Sequence, residues 1–391
     1  MISVSEALKA LTALVEPGPE ETVPLQRAAG RVLARPVGAN RDQPPFAASA
    51  MDGYAVQSAG LERGARYQVI GEAAAGHGFS GVVGPGQAVR IFTGAPLPQG
   101  AQHIVIQEDV TCDADSMIVA AEIDPKTHIR PSGSDFKHGD VIPAPRRLSP
   151  ADVALLASMN QPQVPVRRKP VVAVISTGDE LVMPGQAPRG DQIIASNCFG
   201  LKALLEDSGA LVRILPIARD TIASLHMAFD LAQTADLIVT IGGASVGDHD
   251  LVARAGESLG MQQSFYKVAM RPGKPLMAGR VQNTPMVGLP GNPVSAMVCG
   301  HIFLTPMIRH MLGLPAEQAR HPQAPLACAI AQNGPRAHYM RATLTVDGQL
   351  TPFDRQDSAL LSVLAQANAL LVRPPHAPAV CAGSEVPYIL L

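Results

Sequence analysis

The chain has 391 residues, of which 47% are hydrophobic and only 16% are charged. This length suffices for two to four domains with large cores, and the composition excludes an intrinsically disordered chain. The formal net charge is −2, aromatic residues make up 4%, and tryptophan is absent. These values argue against a nucleic-acid-binding protein, because such proteins concentrate positive charge and stack bases on aromatic rings.

The N-terminal part begins with helical patterns. Residues 3–14 are amphipathic and start with the capping-box spacing of Ser3 and Glu6, which predicts a helix. Residues 25–33 predict a second short helix, which ends before a proline. The sequence therefore predicts a small helical region at the start of the chain.

From about residue 43 to residue 142, short β-type runs alternate with Gly/Pro turns, which predicts a β-rich insert. The proline-containing segments 143–150 and 162–170 predict connectors, the second one at a domain boundary. Between them, Ser149 and Pro150 have the N-cap and N1 pattern of a helix.

After residue 170, β-type and helical patterns alternate, which predicts a doubly wound parallel sheet. The predicted strands are 171–175, 211–216, 237–241 and 286–289, and the predicted helices are 197–208, 222–233 and 293–312. Beyond a proline-rich break near 321–325, alternating runs at 339–346, 369–372 and 386–391 predict a small β-domain.

Three of the predicted strands end in unusual loops, at 176–180, 242–250 and 289–293. Glycines there let the backbone approach a ligand and direct N–H donors toward it. Ligands of open α/β sheets bind beyond the carboxyl ends of the strands, so three such loops predict one site. The alternative is that they are ordinary strand-to-helix turns, with aspartates as helix N-caps.

A basic turn, residues 267–275, carries Lys267, Arg271 and Lys274 around a Pro-Gly pair. Such a rigid turn suits an anionic ligand. The alternative is a solvent-exposed hairpin, which is what a run of charged residues usually forms. No Ser-His-Asp, HExxH, Walker A or strand-associated GxGxxG pattern is present. The sequence thus predicts a site for an anion together with Mg²⁺, which the acids of the loops would bind.

The five cysteines occur singly, without zinc-site spacing, so each is expected to be a small buried residue in a reducing compartment. The N-terminus lacks the pattern of a secretory signal. The most apolar late stretch, 294–312, is interrupted by polar residues and proline. The sequence therefore predicts a cytoplasmic protein without a membrane span.

Eight motifs in a fixed order carry a family resemblance. They are Pro44-Pro45-Phe46 with Ser49-Ala-Met-Asp52-Gly-Tyr54, Phe92-Thr93-Gly94, Gly133-x-Asp135, Ser176-Thr-Gly-Asp-Glu180, Ile193-x-x-Ser-Asn197, Gly242-Gly-x-Ser-Val-Gly-Asp-x-Asp250, Pro272-Gly-Lys-Pro275 and Leu289-Pro-Gly-Asn-Pro293-Val-Ser295. Over essentially its whole length, the chain resembles the MoeA family of molybdopterin molybdenumtransferases, which is related to the E-domain of gephyrin.

The resemblance implies an elongated homodimer of four-domain subunits with a multidomain α/β plus β fold. The central part would be a doubly wound α/β molybdopterin-binding domain at 170–320. A β-rich insert at 46–142, a small N-terminal helical linker domain at 1–45 with 143–169, and a C-terminal β-barrel-like domain at 321–391 would complete the subunit.

The resemblance also implies an activity, the insertion of molybdate into adenylylated molybdopterin with Mg²⁺ and release of AMP. A molybdopterin adenylyltransferase would act upstream, and molybdoenzymes or their chaperones downstream. Two alternatives stay open. The preceding adenylylation step is one, although the extra N- and C-terminal modules count against it. A peptide-binding scaffold is the other, although the acids and bases of the site favour an enzyme.

The resemblance assigns a role to each site residue. The catalytic set would be Asp52, Thr93 and Asp135, which come from the partner subunit, with Glu180 and Asp250, which bind Mg²⁺. The residues that would bind the cofactor, phosphate or molybdate are Thr177, Gly178, Asp179, Gly242, Gly243, Ser245, Gly247, Lys267, Arg271, Lys274, Pro290, Gly291, Asn292 and Pro293. Asp248 fits a helix N-cap or a solvent-facing role equally well.

The chain departs from the family pattern at two places. Ala47 and Ala48 stand where the family often has Asp-Asn, so a role of those side chains in the partner-side loop would be vacant. Arg271 stands where many members have lysine, which keeps the charge but replaces a point charge with a planar fork.

Overall fold

The computed structural model describes residues 1–243, 251–316 and 321–391. It divides into two compact units: one contains residues 22–165, and the other contains residues 1–21 with 166–391. Within the described residues, no helix combines the length and the apolar character needed to cross a membrane.

The first predicted helix is confirmed and the second is wrong. Helix α1, Val4–Thr12, begins at a capping box in which the Ser3 and Glu6 side chains each accept the other residue's N–H. Residues 25–33 instead form a 3₁₀ turn, Leu25–Arg27, and a strand at Val32–Leu33. Gly30 lies between them at φ +72°, which ends the turn, and the apolar residues of the strand then join a sheet.

The unit of residues 22–165 is rich in β-structure, as predicted. The strands that lie in it or extend slightly beyond its ends are β1 Glu20–Pro24, β2 Val32–Leu33, β3 Val37–Gly38, β4 Ala48–Ser49, β5 Gly53–Val56, β6 Arg66–Ala73, β7 Gln87–Ile91, β8 His103–Ile106, β9 Val110–Asp113, β10 Ser116–Val119, β11 Ile129–Arg130, β12 Val141–Ile142, β13 Arg146–Arg147 and β14 Gln163–Arg167. The two larger sheets have the orders β8-β5-β7-β6-β10-β9 and β1-β14-β2-β13. Helix α2, Pro150–Ser158, has the predicted Ser149 cap.

Two details of this unit matter for the sequence predictions. The segment predicted as a connector, 162–170, contains β14, so this prediction is wrong for its central residues. Gly53 lies in β5 between two neighbouring strands, where a Cβ atom would lie 2.9 Å from the carbonyl carbon of Val105. The glycine after Asp52 is therefore required by backbone packing.

The α/β part begins at Val171. Its strands are β15 Val171–Ser176, β16 Leu181–Val182, β17 Ile193–Ile194, β18 Leu211–Ile214, β19 Leu237–Ile241, β20 Gln262–Tyr266, β21 Met270–Arg271, β22 Met277–Val281 and β23 Thr284–Leu289. Its helices are α3 Asn197–Asp207, α4 Ile222–Ala232, α5 Leu251–Ser258, α6 Pro293–Cys299 and α7 Thr305–Met311. The main sheet has the order β18-β15-β19-β23-β22-β20.

The first four strands of this sheet are parallel, as predicted, but β22 and β20 add an antiparallel edge. The reason is a tight hairpin between β22 and β23, in which Gln282 adopts φ +52°. A two-residue connection returns the chain antiparallel and leaves no room for a crossover helix.

Helices cover both faces of the sheet, so the doubly wound arrangement is confirmed. Ala173 and Ile175 of β15 belong to a buried cluster with Leu225 and Phe229 of α4 and Val252 of α5. On the other face, α3 contacts β15 and β18, and α6 contacts β23. Alternate residues of β15 therefore supply two separate cores.

The predicted helix 293–312 is interrupted. A π-helical turn, Gly300–Leu304, separates α6 from α7. Pro306 lies in the first turn of α7 and has no N–H to donate to the preceding turn. The wider π-helical turn lets the chain continue in helical form past this proline.

The C-terminal part is β-rich, as predicted. It consists of β24 Gln323–Pro325, β25 Ala337–Leu344, β26 Leu350–Pro352, α8 Leu361–Gln366, β27 Ala369–Arg373 and β28 Glu385–Leu390. Its sheet has the order β21-β25-β27-β28-β24, so the basic turn at 267–275 contributes β21 to this sheet.

The prediction that every cysteine is buried is wrong for three of the five. Cys198 and Cys299 are buried, whereas Cys112, Cys328 and Cys381 are exposed. Burial depends on the face of each local segment, which composition and spacing do not specify.

Candidate active site

The three predicted loops converge on one cavity of about 880 Å³ beyond the carboxyl ends of β15, β19 and β23. Its size lies within the range of small-molecule sites. The described residues that line it are Ser176, Thr177, Gly178, Glu180, Leu181, Ile193, Ile194, Ala195, Ser196, Asn197, Asp220, Ile241, Gly242, Gly243, Leu251, Pro275, Pro290, Gly291, Asn292, Pro293 and Ala359.

The first loop brings Glu180 to the cavity. Thr177 is buried, and its N–H donates to the Ile241 carbonyl at 3.0 Å. Gly178 adopts φ +144°, and a Cβ atom there would lie 2.7 Å from Cδ of Glu180. The Glu180 side chain therefore folds back over Gly178, where only glycine leaves it room.

The second loop begins with Gly242 and Gly243, which adopt φ +93° and +67°. A Cβ atom on Gly242 would lie 2.8 Å from the Thr177 carbonyl oxygen, so the first two loops are in close backbone contact. The predictions for the rest of this loop, Ser245, Gly247, Asp248 and Asp250, lie outside the described residues.

The third loop is held by polar side chains. Asn197 Nδ2 donates to the Gly291 carbonyl at 2.7 Å, and Asn292 Nδ2 donates to Ser358 Oγ at 3.1 Å. The Ser358 carbonyl in turn accepts the Val294 N–H. Sequence reasoning missed Ser358, because its approach to α6 depends on how the C-terminal part packs.

Two neighbouring acids have different positions. Asp179 is absent from the described cavity lining, and its Oδ1 accepts the Asp220 N–H at 3.3 Å. Asp220 lines the cavity, although the sequence analysis did not select it. Its position could have been predicted, because Asp220 follows β18, a fourth parallel strand whose carboxyl end reaches the same edge of the sheet.

The donor set of the cavity fits Mg²⁺ bound with few protein ligands. Glu180 and Asp220 supply carboxylate oxygens, the ligand type that Mg²⁺ prefers. The described residues contain no group of three or more His, Cys, Asp or Glu that would hold a metal alone. Mg²⁺ usually keeps several waters and binds one or two carboxylates together with substrate phosphates.

The cations of the basic turn lie beside the cavity. Lys267, Arg271 and Lys274 are absent from the described lining, whereas Pro275 belongs to it. Arg271 and Lys274 are exposed, and Lys267 Nζ lies 4.9 Å from the ring centroid of Tyr266. The turn thus approaches the cavity through Pro275, while Arg271 lies in β21 and the two lysines precede and follow that strand in the chain.

Arg341 of β25 is a functional candidate that the sequence analysis missed. It is fully buried, and within the described structure its Nε and Nη1 atoms have no hydrogen-bond partner. Its Nη2 donates to the Arg355 carbonyl at 3.0 Å. Burial and the positive charge of Arg271 lower the pKa of Arg341, partly opposed by Asp357. Buried donors without partners are costly, so this site suits an anion.

The unit of residues 22–165 brings Asp52 and Thr93 together. Asp52 Oδ1 accepts the Thr93 N–H and the Thr93 hydroxyl, both at 2.7 Å. These hydrogen bonds lower the pKa of the Asp52 carboxyl. The Arg90 guanidinium lies 4.9 Å from the Tyr54 ring centroid, on the neighbouring strand. Asp135 is held separately, with its N–H donating to the Gln43 carbonyl.

His338 lies among arginines in the C-terminal sheet. It is paired with Arg271 of β21 and with Arg373 of β27. Burial, together with the charges of Arg271, Arg341, Arg336 and Arg373, lowers the pKa of His338 to about 4. The imidazole is therefore neutral at neutral pH.

Stability should depend on pH through His338. An unfolded histidine has a pKa of about 6.5, so the folded state resists protonation below that pH. His338 therefore leaves the free energy of unfolding undiminished above pH ~6.5 and lowers it progressively as the pH falls toward 4. Urea unfolding of the wild type and His338→Gln should diverge by about 1–3 kcal/mol over this range, in favour of the variant. A parallel pH dependence of the two proteins would contradict this, and exposed His321→Gln is the control.

Comparisons with known proteins cover the whole chain. Family profiles described as MoeA N-terminal region (domain I and II), probable molybdopterin binding domain, and MoeA C-terminal region (domain IV) match residues 2–160, 173–310 and 323–391. The molybdopterin molybdenumtransferase of Haemophilus influenzae is 36% identical, over 99% of this chain and 98% of that protein. That of Nostoc sp. is 34% identical, over 94% and 87%.

A solved structure supports the same assignment at the level of the fold. The crystal structure of the molybdopterin biosynthesis MoeA protein from Pyrococcus horikoshii matches with a TM-score of 0.85 and 27% identity, over 100% of both chains. The resemblance predicted from the ordered motifs is thereby confirmed, and the chain belongs to the molybdopterin molybdenumtransferase (MoeA) family.

Proposed function

We propose that this protein transfers molybdenum from molybdate to the dithiolene of adenylylated molybdopterin, with release of AMP. The observation that carries this proposal is the cavity of about 880 Å³, whose glycine loops and carboxylates adjoin the basic turn through Pro275. Membership of the family, with full-length relatives named molybdopterin molybdenumtransferase, supports the same activity.

In this proposal, the cavity holds adenylylated molybdopterin. Gly178, Gly242 and Gly243 let their loops pack closely on Glu180, Thr177 and Val252, so that backbone rather than side chains lines the cavity there. Backbone N–H groups exposed in this way can bind a phosphate or pterin. The rigid third loop, residues 290–293, shapes the opposite wall. Asp179 contributes by holding the loop through the Asp220 N–H.

We also propose that Mg²⁺ is held by Glu180 and by the predicted ligand Asp250, with Asp220 as a further oxygen donor. When bound, the ion supplies positive charge that offsets the phosphates of the substrate. Glu180 then keeps the ion at the first loop, where Gly178 leaves room for its carboxylate.

Glu180→Gln should slow AMP release from adenylylated molybdopterin by about 10- to 100-fold, because a neutral amide is a weaker Mg²⁺ ligand than a carboxylate. Excess Mg²⁺ should restore part of the rate. Single-turnover AMP release, with and without molybdate and Mg²⁺, measures both effects. Exposed Glu257→Gln on α5 is the control, and a wild-type rate for Glu180→Gln would refute the proposed ligand.

Molybdate is proposed to bind between the basic turn and Arg341. Its oxygens match the unpartnered Nε and Nη1 donors, and Arg271 adds a second guanidinium. The basic turn reaches the cavity through Pro275. The segment that begins at Arg355, whose carbonyl accepts a hydrogen bond from Arg341, reaches the cavity through Ala359. Lys267 and Lys274 would add charge at the entrance.

Arg341→Met should separate stability from binding. Methionine is apolar and similar in length, so removal of a buried charge with two unpartnered donors should leave stability unchanged or raise it. Molybdate binding by isothermal titration calorimetry should weaken by at least about tenfold. Exposed Arg213→Met is the control. A variant that loses stability but retains molybdate affinity would show that Arg341 is structural.

We further propose a homodimer in which Asp52, Thr93 and Asp135 of the partner subunit complete the site. The hydrogen-bonded pair of Asp52 and Thr93 supports this role, because it presents a half-buried carboxylate with a fixed direction. The upstream adenylyltransferase, the downstream molybdoenzymes or chaperones, and a cytoplasmic location remain parts of the proposal.

A mixing experiment tests the shared site. Asp52→Asn and Glu180→Gln should each be strongly slowed alone, because every site lacks one group. After subunit exchange, half of the dimers are mixed and each has one intact site, so about a quarter of wild-type activity should return. Activity that stays at the level of the single variants after verified exchange would place both residues in one chain's site.

A further inference from the structure

Arg219, which follows β18, contacts the loop that carries Glu180. Its Nη1 atom lies 3.0 Å from the carbonyl oxygen of Asp179 and 3.4 Å from that of Leu181. These two carbonyls flank Glu180 in the chain, so one guanidinium holds the backbone on both sides of the proposed metal ligand.

The backbone that carries Arg219 is itself anchored. The Arg219 N–H donates to Ser224 Oγ at 2.9 Å, and its carbonyl accepts the Thr221 N–H at 2.7 Å. Thr221 is the N-cap of α4, since its side chain accepts the Ser224 N–H. Arg219 therefore connects the Glu180 loop to the start of a packed helix.

Further hydrogen bonds fix the same loop. The Gly178 N–H donates to the Ala218 carbonyl at 3.1 Å, and the Glu180 carbonyl accepts the Ile193 N–H at 2.8 Å. The Asp179 carboxylate accepts the Asp220 N–H. With the guanidinium in place, the backbone of residues 178–181 is held from both sides.

Among the described residues, no acidic side chain pairs with Arg219 and accounts for its position. Across the part of the chain that the structure describes, Arg219 forms no ion pair, and its side-chain hydrogen bonds go to backbone carbonyls. It is also absent from the described cavity lining, although its neighbour Asp220 belongs to it. Its contacts are with the loop that carries Glu180, away from the cavity surface.

We infer that Arg219 is a positioning residue, which fixes the direction from which the Glu180 carboxylate enters the cavity without contacting the ligand. This inference rests on the proposed role of Glu180. It differs from a role in which the positive charge attracts the anionic substrate, because the contacts that matter are the two carbonyls.

Kinetics of AMP release separate these two roles. Arg219→Met should lower kcat by about 10-fold and leave KM for adenylylated molybdopterin nearly unchanged, since loss of a residue that orients a metal ligand typically costs about 10- to 100-fold. Arg219→Lys keeps the charge but not the planar guanidinium, so it should restore kcat only in part. Raised KM, with full rescue by lysine, would establish attraction of the substrate and overturn the inference. Exposed Arg213→Met on β18 is the matched control.

A double-variant test links the effect to Glu180. In a Glu180→Gln background, Arg219→Met should cause little further loss, because the group that it positions is already impaired. A second full loss of kcat would overturn the inference. If Glu180→Gln released AMP at the wild-type rate, the proposed function of Glu180 would fail and the inference with it. If only Glu180→Gln were slow and Arg219→Met were normal, the inference alone would fail.

Hydrogen exchange gives a readout that does not depend on turnover. The amides of Leu181 and Ile193 donate to carbonyls of the Glu180 loop. They should exchange faster in Arg219→Met than in the wild type, whereas the urea midpoint should stay unchanged. Unchanged exchange at both amides would show that the guanidinium does not hold the loop.

Discussion

The site depends on a hydrogen-bonded ladder that continues beyond the ends of three parallel strands. β15, β19 and β23 are paired in register up to Ser176, Ile241 and Leu289. The next residues add two bonds, from the Thr177 N–H to the Ile241 carbonyl and from the Gly242 N–H to the Leu289 carbonyl. Because the loops leave the sheet while still bonded to one another, their glycines lie side by side, and one cavity forms.

Opposite charges are kept apart in this part of the molecule. The cavity contains the carboxylates of Glu180 and Asp220, whereas Arg271 and Arg341 are absent from its described lining. Paired with each other, these groups would neutralise their charges. Kept separate, they leave a buried arginine with two donors that have no partner among the described residues, an arrangement that costs stability unless an anion accepts from them.

The sequence predicted those parts of the site that follow from local pattern. The three loops were identifiable because each follows a short apolar strand, and parallel strands bring their carboxyl ends to one edge. Arg341 was missed because its burial depends on pairing: β25 lies between β21 and β27, and Arg341 shares its inward side with Tyr339. The sequence did contain a sign of it, because Arg341 occupies an inward position in the alternating run predicted at 339–346, where an apolar residue is expected. Residues 25–33 failed as a helix because sheet pairing outweighed a weak local preference.

The arginines near the basic turn can lie close together because the residue between them is neutral. His338 is paired with Arg271 on one side and Arg373 on the other, and its lowered pKa keeps it uncharged at neutral pH. A bound oxyanion would reduce the positive potential and thereby raise the pKa of His338. By linkage, an anion that bound at this place would bring proton uptake whenever the pH lay between the free and bound pKa values. The same histidine that limits repulsion among the arginines would therefore couple their cluster to protons if an anion bound there.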